Sequence, residues 1–218
     1  MAWGPRIGPS IAGAVLVVAA TVTACGAKTA DYTTLLPSSP TSTTASTSTT
    51  PTPIAQYLNS VGVTGSQVAL DKLTDLIVTL PRPEGWTKYS NPNFSPGTEA
   101  IAKNNTYPTA MVMVFKLDGN FDVPAAMKHA NDDAALSKGF TKLNSSDKDF
   151  MGFPSSMIEG SYDHLGTRLH TYNRVVIPVT PKFDRYLVQF TVTTLADQAA
   201  EMAPDVGKVI EGFTVAVK

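Results

Sequence analysis

The chain has 218 residues, 43% hydrophobic and 16% charged, with 17 Lys+Arg against 18 Asp+Glu and a formal net charge of −1. That balance excludes a strongly basic nucleic-acid binder and an acidic interaction tail. The only cysteine, Cys25, excludes an internal disulfide framework and a four-cysteine zinc site.

The first element in chain order is an export leader. Arg6 precedes the apolar run 11–20, and no charged side chain follows until Lys28. The run is shorter than the ~20 residues that cross a bilayer. A charged start, a short apolar run and a small-residue site make a secretory signal. The site reads Val22-Thr23-Ala24-Cys25, which resembles the bacterial lipobox, where the cysteine thiol receives diacylglycerol and becomes the first mature residue. Each buried acyl CH₂ contributes ~0.8 kcal/mol, so two or three chains hold a protein at the membrane. Residues 37–53 are Ser, Thr or Pro except Ala45. Such a segment has no apolar face to bury and predicts an extended, disordered spacer. Its hydroxyls suit O-glycosylation as well as a bare linker. The expected division is a leader over 1–24, a lipidated tether over 25–53 and one globular domain over 54–218, at the extracytoplasmic face of the cell membrane.

In the domain, Ile54, Tyr57, Leu58 and Val61 share a helical face that Gly62 can end. Residues 76–80 read as a strand stopped by Pro81 and Pro83, and 91–97 as a loop. Two further strands follow over 100–103 and 110–117, the second nearly all apolar and so central, closed by Asp118-Gly119. Asp122 is an N-cap with Pro124 in the first turn, opening one helix through Ala134 that stops at Gly139. Residues 140–180 hold strand-like runs divided at Gly152-Phe153-Pro154 and at 163–166, and 185–193 alternates well. Thr194 with Asp197 fits a capping box, opening a helix that Pro204 should kink and Gly212 should end before a last strand, 213–217. Strands outnumber helices and follow one another directly, which predicts an α+β fold: an antiparallel sheet sandwiched with helices.

Several motifs occur together in this order. They include the lipobox, the Ser/Thr/Pro tether, Tyr57-Leu58-Asn59-Ser60-Val61-Gly62, Glu84-Gly85-Trp86, Tyr107-Pro108-Thr109-Ala110-Met111, Gly152-Phe153-Pro154-Ser155-Ser156-Met157 and Arg185-Tyr186-Leu187-Val188-Gln189. The set resembles the mycobacterial LpqN/LpqT lipoprotein family, in particular its LpqT branch, over nearly the whole chain. The resemblance implies a PsbP/Mog1-like fold and a cell-envelope lipoprotein linked to lipid export and its transporters, and it brings no catalytic motif.

The residues themselves are sparing with chemistry. No G-x-S-x-G elbow is present; in 160–166, Ser161 and Asp163 would face one side of a strand and His164 the other. His164 and His170 could meet across a hairpin, with His129 as a third partner, but two imidazoles are an incomplete zinc site and no metal is expected. Phosphate-cradling and dinucleotide glycine motifs are missing, so no cofactor is expected. Asn104-Asn105-Thr106 and Asn144-Ser145-Ser146 match the glycosylation pattern by accident. The suggestive residues are apolar: Trp86, Tyr89 and Phe94 on Pro-rich segments, and Phe150, Phe153 and Met157 around another proline. Such side chains either line a cleft for an acyl chain or a partner, or close the end of the core. Met111 and Met113 would share one sheet face with Phe115, and methionine adapts to irregular apolar ligands. The leading reading is a noncatalytic lipoprotein that binds an envelope lipid or a lipid-transport partner. The alternatives are an acyl-ester hydrolase using Ser161 or Ser155, and a structural or host-facing surface lipoprotein.

Overall fold

The computed structural model describes residues 50–218; the leader, Cys25 and the tether up to residue 49 lie outside the described residues. Helix α1 (Ile54–Ser60) comes first, as the apolar spacing requires, with Ile54 and Leu58 buried and Val61 turned to solvent. Ten strands follow: β1 (Thr64–Gln67), β2 (Leu76–Thr79), β3 (Trp86–Lys88), β4 (Glu99–Lys103), β5 (Thr106–Asp118), β6 (Thr141–Ser146), β7 (Ser155–His164), β8 (Thr167–Val176), β9 (Arg185–Leu195) and β10 (Thr214–Val217). Eight of them form one antiparallel sheet in the order β3-β4-β5-β9-β8-β7-β6, with β1 added to the end of β5. β2 and β10 pair separately. This is the expected α+β architecture.

Strand residues alternate between two faces, and the registers assign every position. The first face carries Ala110, Val112, Val114, Val188, Phe190, Val192, Tyr172 and Val176, sealed under β2, β10 and helix α4 (Ala199–Gly212) through Val209, Phe213 and Val215. On the second face Leu117, Val175 and Leu187 pack against Ile54 and Leu58 of α1 and against Ala126 and Ala130. The domain therefore has three layers.

Two helical expectations give way to tertiary contacts. The helix expected over 122–139 is broken into α2 (Val123–Met127), capped by the Asp122 side chain, and α3 (Asp132–Ala135). At the break Asn131 Nδ2 donates to Ser156 Oγ at 2.7 Å, while the Asp132 carboxylate accepts from Thr52 N–H and lies 3.0 Å from His129 Nδ1. Polar side chains with partners elsewhere compete with the helix. The Thr194 capping box does not form either: β9 runs on to Leu195 because Thr194 and Leu195 pair with His170 and Leu169 of β8. α4 instead opens after the turn Ala196–Gln198 and runs through Pro204 to Gly212.

Candidate functional site

The helices on the second face stop short. α1 and α2 cover the end of the sheet around Leu117, Val175 and Leu187. The β7–β8 side is closed as well, with Ser156, Ile158, Leu169 and Thr171 buried. A strip along β5 and β9 is left half-open. β5 records this directly: Pro108, Ala110, Val112 and Val114 on its first face are buried, while Tyr107, Thr109, Met111, Met113 and Phe115 between them are half-buried. The registers lay three rungs across the open strip: Met113 beside Gln189, Met111 beside Thr191 and Asn173, and Thr109 beside Thr193 and Thr171. Thr191 Oγ1 donates to Asn173 Oδ1 at 2.9 Å, and Asn173 Nδ2 donates to Thr171 Oγ1 at 3.1 Å. From Met113 to Tyr107 the strip is ~20 Å long, six residues of strand.

Three hollows adjoin it. An apolar crevice of about 180 Å³ lies under α1 between Leu58, Val63, Phe115, Leu117 and Leu187. A hollow of about 380 Å³ lies over Met113, Asn173, Gln189 and Thr191 and shares Ala55 and Gln189 with the crevice. At the far end a third, also about 380 Å³, is rimmed by Tyr89, Phe94, Tyr107, Tyr162 and His164. Beside the Thr109–Thr193–Thr171 rung, the ring of Phe140 lies over Gly160 of β7, in space that a side chain would fill.

The strip is uncharged. The second-face positions of β4, β5, β7, β8 and β9 contain no Asp, Glu or Lys, and their one Arg, Arg185, sits at the covered end over the Phe121 ring. The hollow over Met113 is also lined by Asp133 and Arg174, and Tyr162 rims the far one. Burial raises the Tyr162 hydroxyl above its ordinary value, and burial likewise raises the Asp133 carboxyl despite an Ile54 N–H. The first face, by contrast, carries Lys116, Glu159, Arg168, His170 and Arg174.

The apolar residues singled out from the sequence divide between the two faces. Tyr89 and Phe94 meet edge-to-face at 5.8 Å and line the far hollow. Trp86 and Met157 are 4% and 8% exposed within the first-face core, which Phe150 and Phe153 help to close. These four fill the core rather than line an open cleft. Phe150 belongs to a stack in which the Arg174 guanidinium lies 4.6 Å from its ring centre, and Phe150, Phe213 and Phe190 follow ring on ring.

Ser161 stands directly across the β7–β8 ladder from His170, but its hydroxyl is engaged by an arginine rather than by the imidazole, which turns to Glu159 instead. Ser155 likewise faces an arginine. Ser161 Oγ accepts from Arg168 Nη2 at 2.8 Å, and buried Ser155 Oγ accepts from Arg174 Nη1 at 2.8 Å. The Leu165-Gly166 turn pairs His164 with Thr167, which sends His164 and His170 to opposite faces. His170 Nε2 lies 3.1 Å from Glu159, and His129 stacks on Tyr57. Among the described residues no cluster of three or more His, Cys, Asp or Glu could hold a metal ion. The Asn104-Asn105 pair, both with positive φ, forms the β4–β5 turn.

Sequence reading missed the Thr, Asn and Gln side chains of the strip because they come from three strands and meet only through register. The available signal was the alternation of β5 and β9, in which every second residue from Tyr107 to Met113 and from Gln189 to Thr193 is an uncharged polar residue or methionine.

Comparison with known proteins follows the same lines. The family described as "Probable lipoprotein LpqN" matches residues 50–216. Lipoprotein LpqT of Mycobacterium tuberculosis is 52% identical over 212 residues, covering 96% of this chain and 94% of the relative. LpqT of Mycobacterium leprae is 48% identical over 215 residues, covering 98% of each. The crystal structure of LpqN, described as involved in cell envelope biogenesis of Mycobacterium tuberculosis, superimposes with a TM-score of 0.65 at 20% identity, covering 76% of this chain and 98% of that one.

Proposed function

The chain belongs to the LpqN lipoprotein family, and on that premise we propose that its folded unit holds an uncharged amphipathic envelope lipid in the open strip without altering it chemically. The observation that carries this reading is the strip itself: ~20 Å of half-buried sheet bearing methionines and hydroxyls but no charge, continuous with an apolar crevice. Burying an unpaired phosphate or carboxylate there would cost several kcal/mol, whereas an acyl chain and a neutral head group find dispersion contacts and hydrogen bonds. The bound lipid would run lengthwise, its chain toward the crevice under α1. Cys25 is the proposed point of acylation, which keeps the unit beside a membrane that supplies lipid. Cell envelope biogenesis, the process named for LpqN, is the proposed setting, with a lipid-export transporter as the partner that receives or delivers the ligand.

Solvent extraction of the purified unit 47–218 followed by mass spectrometry tests this. Wild-type protein should release a stoichiometric lipid, and the double variant Met113→Lys, Thr193→Lys should release none while keeping its thermal midpoint. A unit that carries no lipid, and that binds none from envelope extracts, refutes the reading.

A further inference from the structure

The largest apolar side chains left in water among the described residues are Leu165, 93% exposed, and Phe183, 85% exposed. They stand at opposite ends of β8, ~30 Å apart by strand rise. Leu165 tops a two-residue hairpin turn whose flanking Asp163 and Arg168 pair at 3.0 Å. Phe183 sits in the longer β8–β9 loop. Like Leu165, at φ 49°, it occupies the left-handed backbone region, at φ 65°, which a bulky L-residue rarely adopts. That conformation is held by the Thr180 N–H donating to Asp184 O at 2.9 Å and the Phe183 N–H donating to Thr180 O at 2.8 Å. The loop thus presents an aromatic ring outward from a fixed backbone, beside exposed Val179, Pro181 and Lys182. Its only carboxylate, Asp184, is neutralised by pairing with Lys116 at 3.0 Å. The exposed part of the loop therefore carries apolar side chains and one cation, Lys182, outside that ion pair.

We propose that the β8–β9 loop is a membrane-contact tip, in which Phe183, with Val179 and Pro181, enters the interfacial region of a lipid bilayer while Lys182 meets the head groups. An aromatic ring and a lysine whose stem is apolar and whose head stays wet are the residues that settle at that boundary. Membership of a lipoprotein family supplies the occupant, because a unit tethered to a bilayer meets its surface at high effective concentration. One aromatic side chain then suffices to orient the domain, although it would hold a free protein only weakly. This contact is separate from the groove, which lies along the second face of the sheet.

The unit 47–218 carries both hydrophobic cores and forms one compact body by itself, so it can be tested alone. It is attached by an N-terminal hexahistidine tag to phosphatidylcholine–phosphatidylglycerol vesicles containing a nickel-chelating lipid. Its single tryptophan, Trp86, is 4% exposed and gives a constant background. The Phe183→Trp variant should shift its emission to the blue and be quenched by brominated acyl chains several-fold more strongly than Leu165→Trp. Equal quenching at both positions, or quenching at neither, overturns the proposal. Lipid held in the groove is read by extraction rather than by these reporters, so the two readings fail separately.

Discussion

Gly160 on β7 lies under the ring of Phe140, between Thr171 of β8 and the edge strand β6. A Cβ at this position would stand 2.6 Å from the Phe140 ring and 2.6 Å from the Thr141 carbonyl oxygen. The ring can tilt, but the oxygen belongs to the backbone of the β6–β7 ladder and can move only if the edge strand moves. Overpacking of this kind costs about 1–3 kcal/mol, and the backbone partner puts Gly160→Ala in the upper half of that range. For a unit of this size each kcal/mol lowers the thermal midpoint by roughly 2–4 °C. Gly207→Ala is the internal control: it lies in α4 with no atom within 4 Å of the added methyl group. Removing a helical glycine should stabilise by about 0.5–1 kcal/mol. Urea titration of the two variants should therefore move the midpoint in opposite directions. A Gly160→Ala unit within about 0.5 kcal/mol of wild type, the scatter of an ordinary surface change, would refute the packing argument.

Two further substitutions probe the first-face core. Asp75, 9% exposed, accepts from the Tyr186 hydroxyl at 2.6 Å, and that hydrogen bond, against the opposing effect of burial, holds its carboxyl below the ordinary 3.8. The stabilisation is present above the unfolded-state value and is lost as pH falls through the lowered one, so denaturant midpoints of wild type should drop below about pH 3.8. Asp75→Asn should lack that part of the acid dependence. Burial and the same carboxylate push the Tyr186 hydroxyl up, so its contribution persists at mildly alkaline pH and disappears only as pH rises past the raised value. Arg174→Lys keeps the charge but loses the planar contact with Phe150 and the Nε bond to the Tyr172 hydroxyl. It should destabilise by about 1–2 kcal/mol in thermal melts, and an unchanged midpoint would show that the stack contributes nothing.

The local pattern of the chain carried most of the secondary structure. Alternation marked β5 and β9, the Leu165-Gly166 and Asp118-Gly119 signals marked turns, and Asp122 capped α2 as its side chain requires. Periodicity also supplied the class, because strands that directly succeed one another close most easily as an antiparallel sheet. It could not supply the break at Asn131 or the missing cap at Thr194. In both places a contact from elsewhere in the sheet outweighed a local preference worth about 1 kcal/mol.

Side-chain type and spacing by themselves determined that this chain builds a two-faced sheet and that Met111, Met113 and Phe115 share one side of it. Tertiary structure alone decided which side stays open, and so which aromatics became lining and which became core. Tyr89 and Trp86 are three residues apart with similar character, yet one borders a hollow and the other is sealed beneath the opposite layer. The physical reason is that burial depends on where helices end over a face, and that is set by contacts between residues far apart in the chain.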